Sequence, residues 1–140
     1  MKVIFYLSLG LLFSIAAFAQ KDTITTKSGL KYVKLKPGNG KTPVDGQKLK
    51  VFYKGTLKNG SVFDSNINQS PFKFSLGKSE VIPGWDEGFK LMSTGEKGIL
   101  FIPAKLAYGS RGVENQDVPG KYIIPPNSDL IFEVELISFK

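Results

Sequence analysis

The clearest candidate for a functional site is a short apolar run, Val81-Ile82-Pro83-Gly84-Trp85, which holds the only tryptophan of the 140-residue chain. The sequence contains no histidine and no cysteine, the side chains that most often serve as general base near neutral pH and as thiolate nucleophile. We therefore expect a function that uses a concave pocket with aromatic walls. We expect it to use no covalent chemistry, no metal and no cofactor.

Strands with clear alternation surround this run in the sequence. Residues 49–54 have the period of a strand with one buried face, and the period points Tyr53 inward. Asn59-Gly60 then predicts a hairpin with a tight turn of the primed types, whose centre needs positive φ. The returning strand reaches Phe63-Asp64. Further strands are predicted in four segments: 30–35, 72–76, 97–102 and 129–139.

One short helix is predicted directly after Pro83. Trp85, Phe89 and Met92 fall at i, i+4 and i+7, and Gly95 follows as a terminating residue. The expected fold class is therefore α+β, with an antiparallel curved β-sheet of about five strands wrapped around one short α-helix.

The first residues are predicted to lie outside this domain. Residues 1–19 combine Lys2, an apolar stretch and the small-x-small site Ala17-Phe18-Ala19, which is typical of a secretory signal peptide. Cleavage before Gln20 would give an exported protein, periplasmic or secreted, without a stable membrane anchor. An uncleaved anchor is the alternative, although the stretch is short for a membrane span. Residues 20–28 are polar and predict a flexible leader to a domain at 29–140.

Charge and cysteine content limit the classes of partner. The formal net charge is +7, and the lysines are spread along the chain without a block of like charge. Nucleic-acid binders usually concentrate their basic residues on one face, so we expect no nucleic-acid partner. With zero cysteines the fold must rely on its apolar core.

From Gly29 to Lys140 the chain resembles the FK506-binding-protein (FKBP) type of peptidyl-prolyl cis/trans isomerase. The resemblance rests on motifs that occur in the order and spacing of that family: VFYKG at 51–55, GSVFDS at 60–65, PFKF at 71–74, GKSEVIPGW at 77–85, AYG at 107–109 and IIPPN at 123–127. The closing LIFEVEL at 130–136 fits as well.

The resemblance implies a set of site residues. Asp64, Tyr108 and Tyr53 are expected as catalytic residues, with Tyr53 orienting Asp64 and the Tyr108 hydroxyl donating to a ligand carbonyl. Trp85 is expected as the floor under the proline ring, and the Ile82 N–H as a second donor. The residues expected to bind substrate are Phe63, Phe72, Val81, Ile82, Trp85, Ile123, Ile124 and Phe132. Phe74, Phe89 and Leu136 are assigned to the core.

This assignment implies isomerisation of X-Pro bonds in exported proteins, which assists their folding. Rotation about the bond must break amide resonance, at a barrier of roughly 18–20 kcal/mol. The twisted amide is less polar than the planar one, so a dry aromatic pocket favours it. The implied partners are proline-containing unfolded chains or peptides and FK506-type macrolides, bound by a monomer.

Two other functions remain open at this point. The chain could be a proline-binding chaperone or interaction module with little turnover. A carbohydrate or small-molecule binder would rest on the aromatic pocket alone. Retention of Asp64 and Tyr108 favours the enzyme over both.

The sequence departs from the family in two places. Residues 65–70 offer no basic side chain to pair with Asp64, which suggests orientation by Tyr53 alone. The connection 104–128 is long, and within it residues 111–122 exceed the compact loop usual in the family. We hypothesise that this loop changes which substrates enter; a tolerated surface insertion is the alternative.

Overall fold

The computed structural model describes residues 22–140, so the predicted signal peptide and its cleavage site lie outside the described residues. The strands run Thr23–Thr25 (β1), Lys31–Lys36 (β2), Lys48–Leu57 (β3), Val62–Ser65 (β4), Phe72–Ser75 (β5), Lys97–Ile102 (β6), Val113–Glu114 (β7), Tyr122–Ile124 (β8) and Leu130–Phe139 (β9). The α-helix α1 is Pro83–Gly88, and 3-10 turns follow at Phe89–Leu91 and Ala104–Leu106.

Seven of these strands form one antiparallel sheet around α1, which confirms the predicted α+β class. The order is β1-β2-β6-β9-β3-β4, and β5 pairs with the other half of β3. The sheet therefore has seven strands where the sequence predicted about five. Within the long connection 104–128, β7 and β8 pair as a separate two-stranded sheet.

The first extra strand lies in the segment predicted as a flexible leader. In β1, Ile24 lies opposite Tyr32 of β2, and the pairing covers all three residues of the strand. Its sequence is Thr-Ile-Thr, and β-branched residues suit a pleated edge position. The polarity of this segment misled the prediction, because an edge strand that faces solvent needs little apolar surface.

The hairpin predicted at Asn59-Gly60 is present, but its turn is of another kind. Gly60 has φ +88°, whereas Asn59 is not among the residues with positive φ. Leu57 N–H donates to the Ser61 carbonyl at 2.9 Å, so three residues form the loop. The Gly60 N–H also donates to the Leu57 carbonyl at 2.9 Å, which is the pattern of a type I turn followed by a left-handed glycine in a bulge. A separate register shift lies further from the turn, between Gly55 and Thr56.

The helix α1 lies directly against β6. An ideal Cβ on Gly84 would come within 2.5 Å of Ile102 Cγ2, and one on Gly88 within 2.6 Å of Leu100 Cδ2. The two glycines thus allow an approach that any larger residue would block. The predicted helix start after Pro83 is confirmed, whereas regular α-geometry ends at Gly88 and a 3-10 turn continues toward Met92.

The core between α1 and the sheet is apolar apart from one sealed polar pair. Tyr32 is 0% exposed and Glu96 2%, and the Tyr32 hydroxyl donates to Glu96 Oε2 at 2.5 Å. The other oxygen, Oε1, accepts from Ser93 Oγ at 3.1 Å. Burial, followed by the bond to Glu96, raises the pKa of Tyr32 well above its ordinary value. Within residues 22–140, no helix has the length and apolar character needed to cross a membrane.

Candidate active site

A cavity of about 220 Å³ opens between the start of α1 and the strands β3, β4, β5 and β9. Its walls come from separate parts of the chain: Tyr53, Phe63, Asp64, Phe72, Glu80, Val81, Ile82, Trp85, Tyr108 and Phe132. Nine of these ten were expected from the sequence. The structure therefore brings most of the predicted site residues together, from elements up to 79 positions apart (132 minus 53).

Trp85 lies at the bottom of this cavity. Its ring contacts Tyr53 at 5.0 Å and Phe132 at 5.3 Å between centroids, both edge to face. The side chain is 5% exposed, and its indole Nε1 is buried without a hydrogen-bond partner in residues 22–140. Edge-to-face packing against these neighbours holds the indole in place, so Trp85 contributes a fixed aromatic side chain to the cavity lining.

Asp64 and Tyr53 form the polar group at the cavity wall. The Tyr53 hydroxyl donates to Asp64 Oδ2 at 2.8 Å, and the Ser65 amide donates to Oδ1 at 2.8 Å. Burial, followed by the bond to Asp64, raises the pKa of Tyr53 to about 12. No cation pairs with Asp64 in the described part of the chain. The carboxylate is thus oriented by two donors, where the sequence suggested Tyr53 alone.

Asn66 positions this polar group from behind, and sequence reasoning missed it. Its side chain is 7% exposed; Oδ1 accepts from the Tyr53 amide at 2.7 Å, and Nδ2 donates to the Val51 carbonyl at 3.0 Å. These bonds tie the loop after β4 to the middle of β3. Apart from Ile67 the segment 65–70 is polar and includes a second asparagine, Asn68, so only a tertiary contact distinguishes Asn66 from its neighbours.

Tyr108 reaches the cavity from the connection after β6. The chain there is fixed by backbone bonds, from Gly109 N–H to the Ala104 carbonyl at 2.9 Å and from Asn127 N–H to the Gly109 carbonyl at 2.7 Å. Burial, followed by the negative charge of Asp64, raises the pKa of Tyr108. The hydroxyl therefore stays protonated, and it is a hydrogen-bond donor throughout the physiological pH range.

The amide of Ile82 lies at the start of α1. Its carbonyl accepts from the Trp85 N–H at 2.9 Å, which begins the helix. None of the hydrogen bonds formed within residues 22–140 uses the Ile82 N–H as donor. This N–H is available to an acceptor that enters the cavity.

Two residues expected to bind substrate do not line the cavity. Ile124 is 3% exposed and belongs to the core, whereas Ile123 is 43% exposed. Successive residues of β8 point to opposite sides, so the pair separates into one core residue and one surface residue. Glu80, by contrast, lines the cavity although it was not among the residues expected there.

Comparison with known proteins identifies the family. The family model for the FKBP-type peptidyl-prolyl cis-trans isomerase matches residues 39–137. "Peptidyl-prolyl cis-trans isomerase Fkbp12" of Drosophila melanogaster is 49% identical over 111 residues, which covers 78% of this chain and 96% of the relative. "FK506-binding protein 1" of Candida glabrata is 47% identical over 115 residues, which covers 81% and 95%.

The chain belongs to the FKBP family. As a member it is a peptidyl-prolyl cis-trans isomerase, and the family binds proline-containing substrates and FK506-type ligands. Because the family model spans β3 to β9, every residue that lines the cavity falls within the matched region.

Solved structures agree with the FKBP assignment. The crystal structure of AtFKBP13 superposes with a TM-score of 0.76 at 41% identity, and covers 84% of this chain and 98% of that one. The FkpA structure from Escherichia coli gives 0.73 at 41% identity, over 92% of this chain and 56% of that one. Among residues 22–140, no cluster of His, Cys, Asp and Glu has the composition of a metal site.

Proposed function

We propose that the isomerase acts through the cavity above Trp85, where an X-Pro amide is twisted in an apolar environment. The supporting observation is the composition of the walls, which combine aromatic rings with a few fixed polar groups. The proline ring lies on the Trp85 indole, and the amide passes from planar to twisted between Phe132 and Tyr53. Because the twisted amide is less polar than the planar one, the dry site lowers its free energy more than that of the ground state.

The polar groups hold the chain on either side of the proline. The Tyr108 hydroxyl and the Ile82 N–H donate to substrate carbonyls, so the flanking peptide is fixed while the amide rotates. Asp64 accepts from Tyr53 and places its negative charge at the cavity wall. No proton transfer and no covalent intermediate are required.

A rate measurement on tetrapeptides with an X-Pro bond tests this mechanism. Tyr108→Phe is expected to lower kcat/KM several-fold. Ser110→Ala is the control, because it removes an exposed hydroxyl from the same connection and Ser110 does not line the cavity. Equal rates for the two variants would contradict the role of the Tyr108 hydroxyl. If isomerisation is absent while aggregation of an unfolded protein is suppressed, the chain is a proline-binding chaperone instead.

FK506-type macrolides are the proposed inhibitors of this cavity. The name of the Candida glabrata relative states that it binds FK506, and the aromatic walls offer this chain the same kind of contact. A macrolide should quench or shift the fluorescence of Trp85, the only tryptophan, and should inhibit isomerisation at the same concentration. Inhibition without a fluorescence change would argue for a site elsewhere.

We further propose that the protein is exported and assists the folding of exported proteins as a monomer. The support is the signal-peptide pattern in residues 1–19, with Lys2 before the apolar stretch and Ala17-Phe18-Ala19 at its end. The mass of the protein isolated from its native cells tests the proposal. A mature chain that starts at Gln20 is expected, and an intact N-terminus would refute cleavage.

The loop 111–122 is proposed to influence which substrates enter. It includes β7, the whole β7–β8 connection and the first residue of β8, with Val118 46% exposed and Tyr122 42% exposed beside Ile123 at 43%. Exposed apolar side chains next to a binding cavity offer contacts for a substrate chain. A variant with a shortened loop is expected to change its preference across a peptide series; an unchanged preference would favour a tolerated insertion.

A further inference from the structure

A second, larger hollow of about 630 Å³ adjoins the proline cavity on the other side of Glu80. Its lining consists of residues from β3, β5 and the end of β9 together with Glu80: Lys48, Leu49, Lys50, Lys73, Phe74, Ser75, Glu80, Ser138, Phe139 and Lys140. Four of the ten are lysines and one is acidic. The hollow is therefore basic, with apolar surface between the charges.

Two lysines of this hollow lie opposite each other on paired strands, where opposite charges are the favourable arrangement. Lys50 of β3 lies directly opposite Lys73 of β5, and Lys48 lies opposite Ser75. On the β9 side, Lys50 faces Ser138. Like charges directly opposite each other destabilise a strand pair, so this arrangement costs stability without a compensating partner.

Two other lysines of the same sheet lie opposite acidic residues. Lys54 of β3 lies opposite Glu133 of β9, and Lys97 of β6 lies opposite Glu135 with 3.9 Å between Nζ and Oε2. In the described part of the chain, none of the hollow's four lysines forms an ion pair. Lys36 of β2 also lies opposite Lys97, but Lys97 has Glu135 as an acidic partner, whereas Lys50 and Lys73 have none within residues 22–140.

The two hollows meet at Glu80, which lines both of them. Phe72 lines the proline cavity and Phe74 lines the basic hollow, and their rings stack at 5.9 Å. Glu80 lies between them, where its carboxylate accepts from the Ser75 amide at the edge of β5. Two residues of extended chain span about 7 Å, so a substrate chain that leaves the cavity past Glu80 enters the hollow within a few residues of its proline.

We infer that the basic hollow is a subsite for acidic side chains of the substrate polypeptide, a few residues from the proline that is isomerised. The inference rests on the proposed use of the cavity above Trp85. Charge complementarity selects Asp and Glu, and the apolar surface between the lysines accommodates the carbon parts of those side chains. A polypeptide is favoured over a nucleic acid or a membrane because the hollow shares a wall residue, Glu80, with the cavity proposed to bind peptide.

Paired peptides test the inference. Each pair shares one X-Pro core and carries either two Glu or two Gln residues two to four positions away, on one side or the other. When the acidic residues are on one side of the proline, we expect kcat/KM at low salt to be about fivefold higher for the Glu peptide than for the Gln peptide, mainly because KM is lower. The ratio of the two kcat/KM values should decrease as added salt screens the lysines. Lys50→Gln with Lys73→Gln should bring the ratio close to one. Equal rates for Glu and Gln peptides on both sides would overturn the inference.

A matched variant separates the subsite from overall charge. Lys36→Gln with Lys41→Gln removes the same two charges from residues that do not line the hollow, and it should keep the preference. If it abolishes the preference equally, the effect comes from net charge and the subsite is refuted.

A binding measurement separates failure of the subsite from failure of the isomerase mechanism. A proline-free acidic peptide, titrated into the protein and followed by NMR, should shift the amides of residues 48–50 and 73–75 even if no X-Pro bond is turned over. If phosphatidylglycerol vesicles or duplex DNA shift these amides and the acidic peptide does not, the polypeptide subsite is excluded.

Discussion

Two tyrosine–carboxylate pairs in this domain have the same chemistry and opposite surroundings. In the core, Tyr32 and Glu96 are sealed, and the carboxylate also accepts from Ser93. At the cavity, Tyr53 and Asp64 form a bond of 2.8 Å with the carboxylate exposed to solvent. A sealed pair with its bonds completed can only hold the fold together, whereas an open pair keeps lone pairs and charge available to a ligand. Burial therefore separates a structural role from a functional one.

The largest effect is expected when the sealed pair is broken. Glu96→Ala leaves the Tyr32 hydroxyl buried without an acceptor, which should lower the free energy of unfolding by roughly 3 kcal/mol. Urea unfolding measures this loss, with Asp64→Ala as the variant of the open pair. A loss of equal size from both variants would contradict the difference between the pairs.

The second-largest effect is expected at alkaline pH, where the sealed pair should contribute less to the free energy of unfolding. The pKa of Tyr32 in the folded state lies well above its unfolded value of 10.0, so its contribution to stability is complete below about pH 10 and declines as pH rises toward the folded pKa. For one titrating group, the free energy of unfolding can change by at most about 1.4 kcal/mol per pH unit. Stability measured from pH 9 to pH 12 should fall less steeply in Tyr32→Phe than in the wild type.

Ionisation of Tyr53 should also lower the free energy of unfolding as pH rises, by a smaller amount than ionisation of Tyr32. Its pKa is raised to about 12, so it acts between about pH 10 and pH 12, and solvent at the cavity weakens the effect. Between pH 9 and pH 12, Tyr53→Phe should reduce the fall in the free energy of unfolding less than Tyr32→Phe does. The opposite result would show that the open pair contributes more to alkaline instability than the sealed pair.

Loss of charge in the open pair should affect activity more than stability. Asp64→Asn keeps a similar shape but removes the negative charge, and kcat/KM is expected to fall roughly tenfold, which corresponds to about 1.4 kcal/mol. The free energy of unfolding should change by no more than about 0.5 kcal/mol. Asp22→Asn, far from the cavity, should leave both quantities unchanged.

The smallest effect is expected from Lys34, the cation beside the sealed pair. Its Nζ lies 3.8 Å from Glu96 Oε1, and its side chain is 38% exposed. A partly exposed ion pair of this length contributes little, so Lys34→Gln should destabilise the fold by less than about 1 kcal/mol. A double-mutant cycle with Glu96→Gln measures the coupling, and a value above 2 kcal/mol would show that Lys34 is an essential member of the pair.

The elements that depend on short-range sequence patterns could be predicted from the sequence. The alternation in residues 49–54, the glycine of the hairpin and the start of the helix at Pro83 all follow from short-range preferences, and the structure confirms them. The resemblance to the FKBP family then gave most residues of the cavity wall, because the motifs occur in fixed order.

Features that depend on distant contacts were not predictable in this way. Tyr32 and Glu96 are 64 positions apart, and nothing near either residue indicates the bond between them. Asn66 lies among similar polar residues, and its role depends on the backbone of β3. Ile123 and Ile124 shared one motif, but alternation in β8 placed them on opposite sides. The β1 strand was missed because its stability comes from pairing with β2.

The position of β9 has a consequence for how the domain acquires its shape. β9 follows every other described strand in the chain, yet it lies between β6 and β3 and pairs with both along their length. Neither half of the sheet can close before this strand has been synthesised, and the cavity lacks Phe132 until then. The last strand in the chain thus both joins the two parts of the sheet and supplies a wall of the cavity, so the fold and the site are completed by the same element.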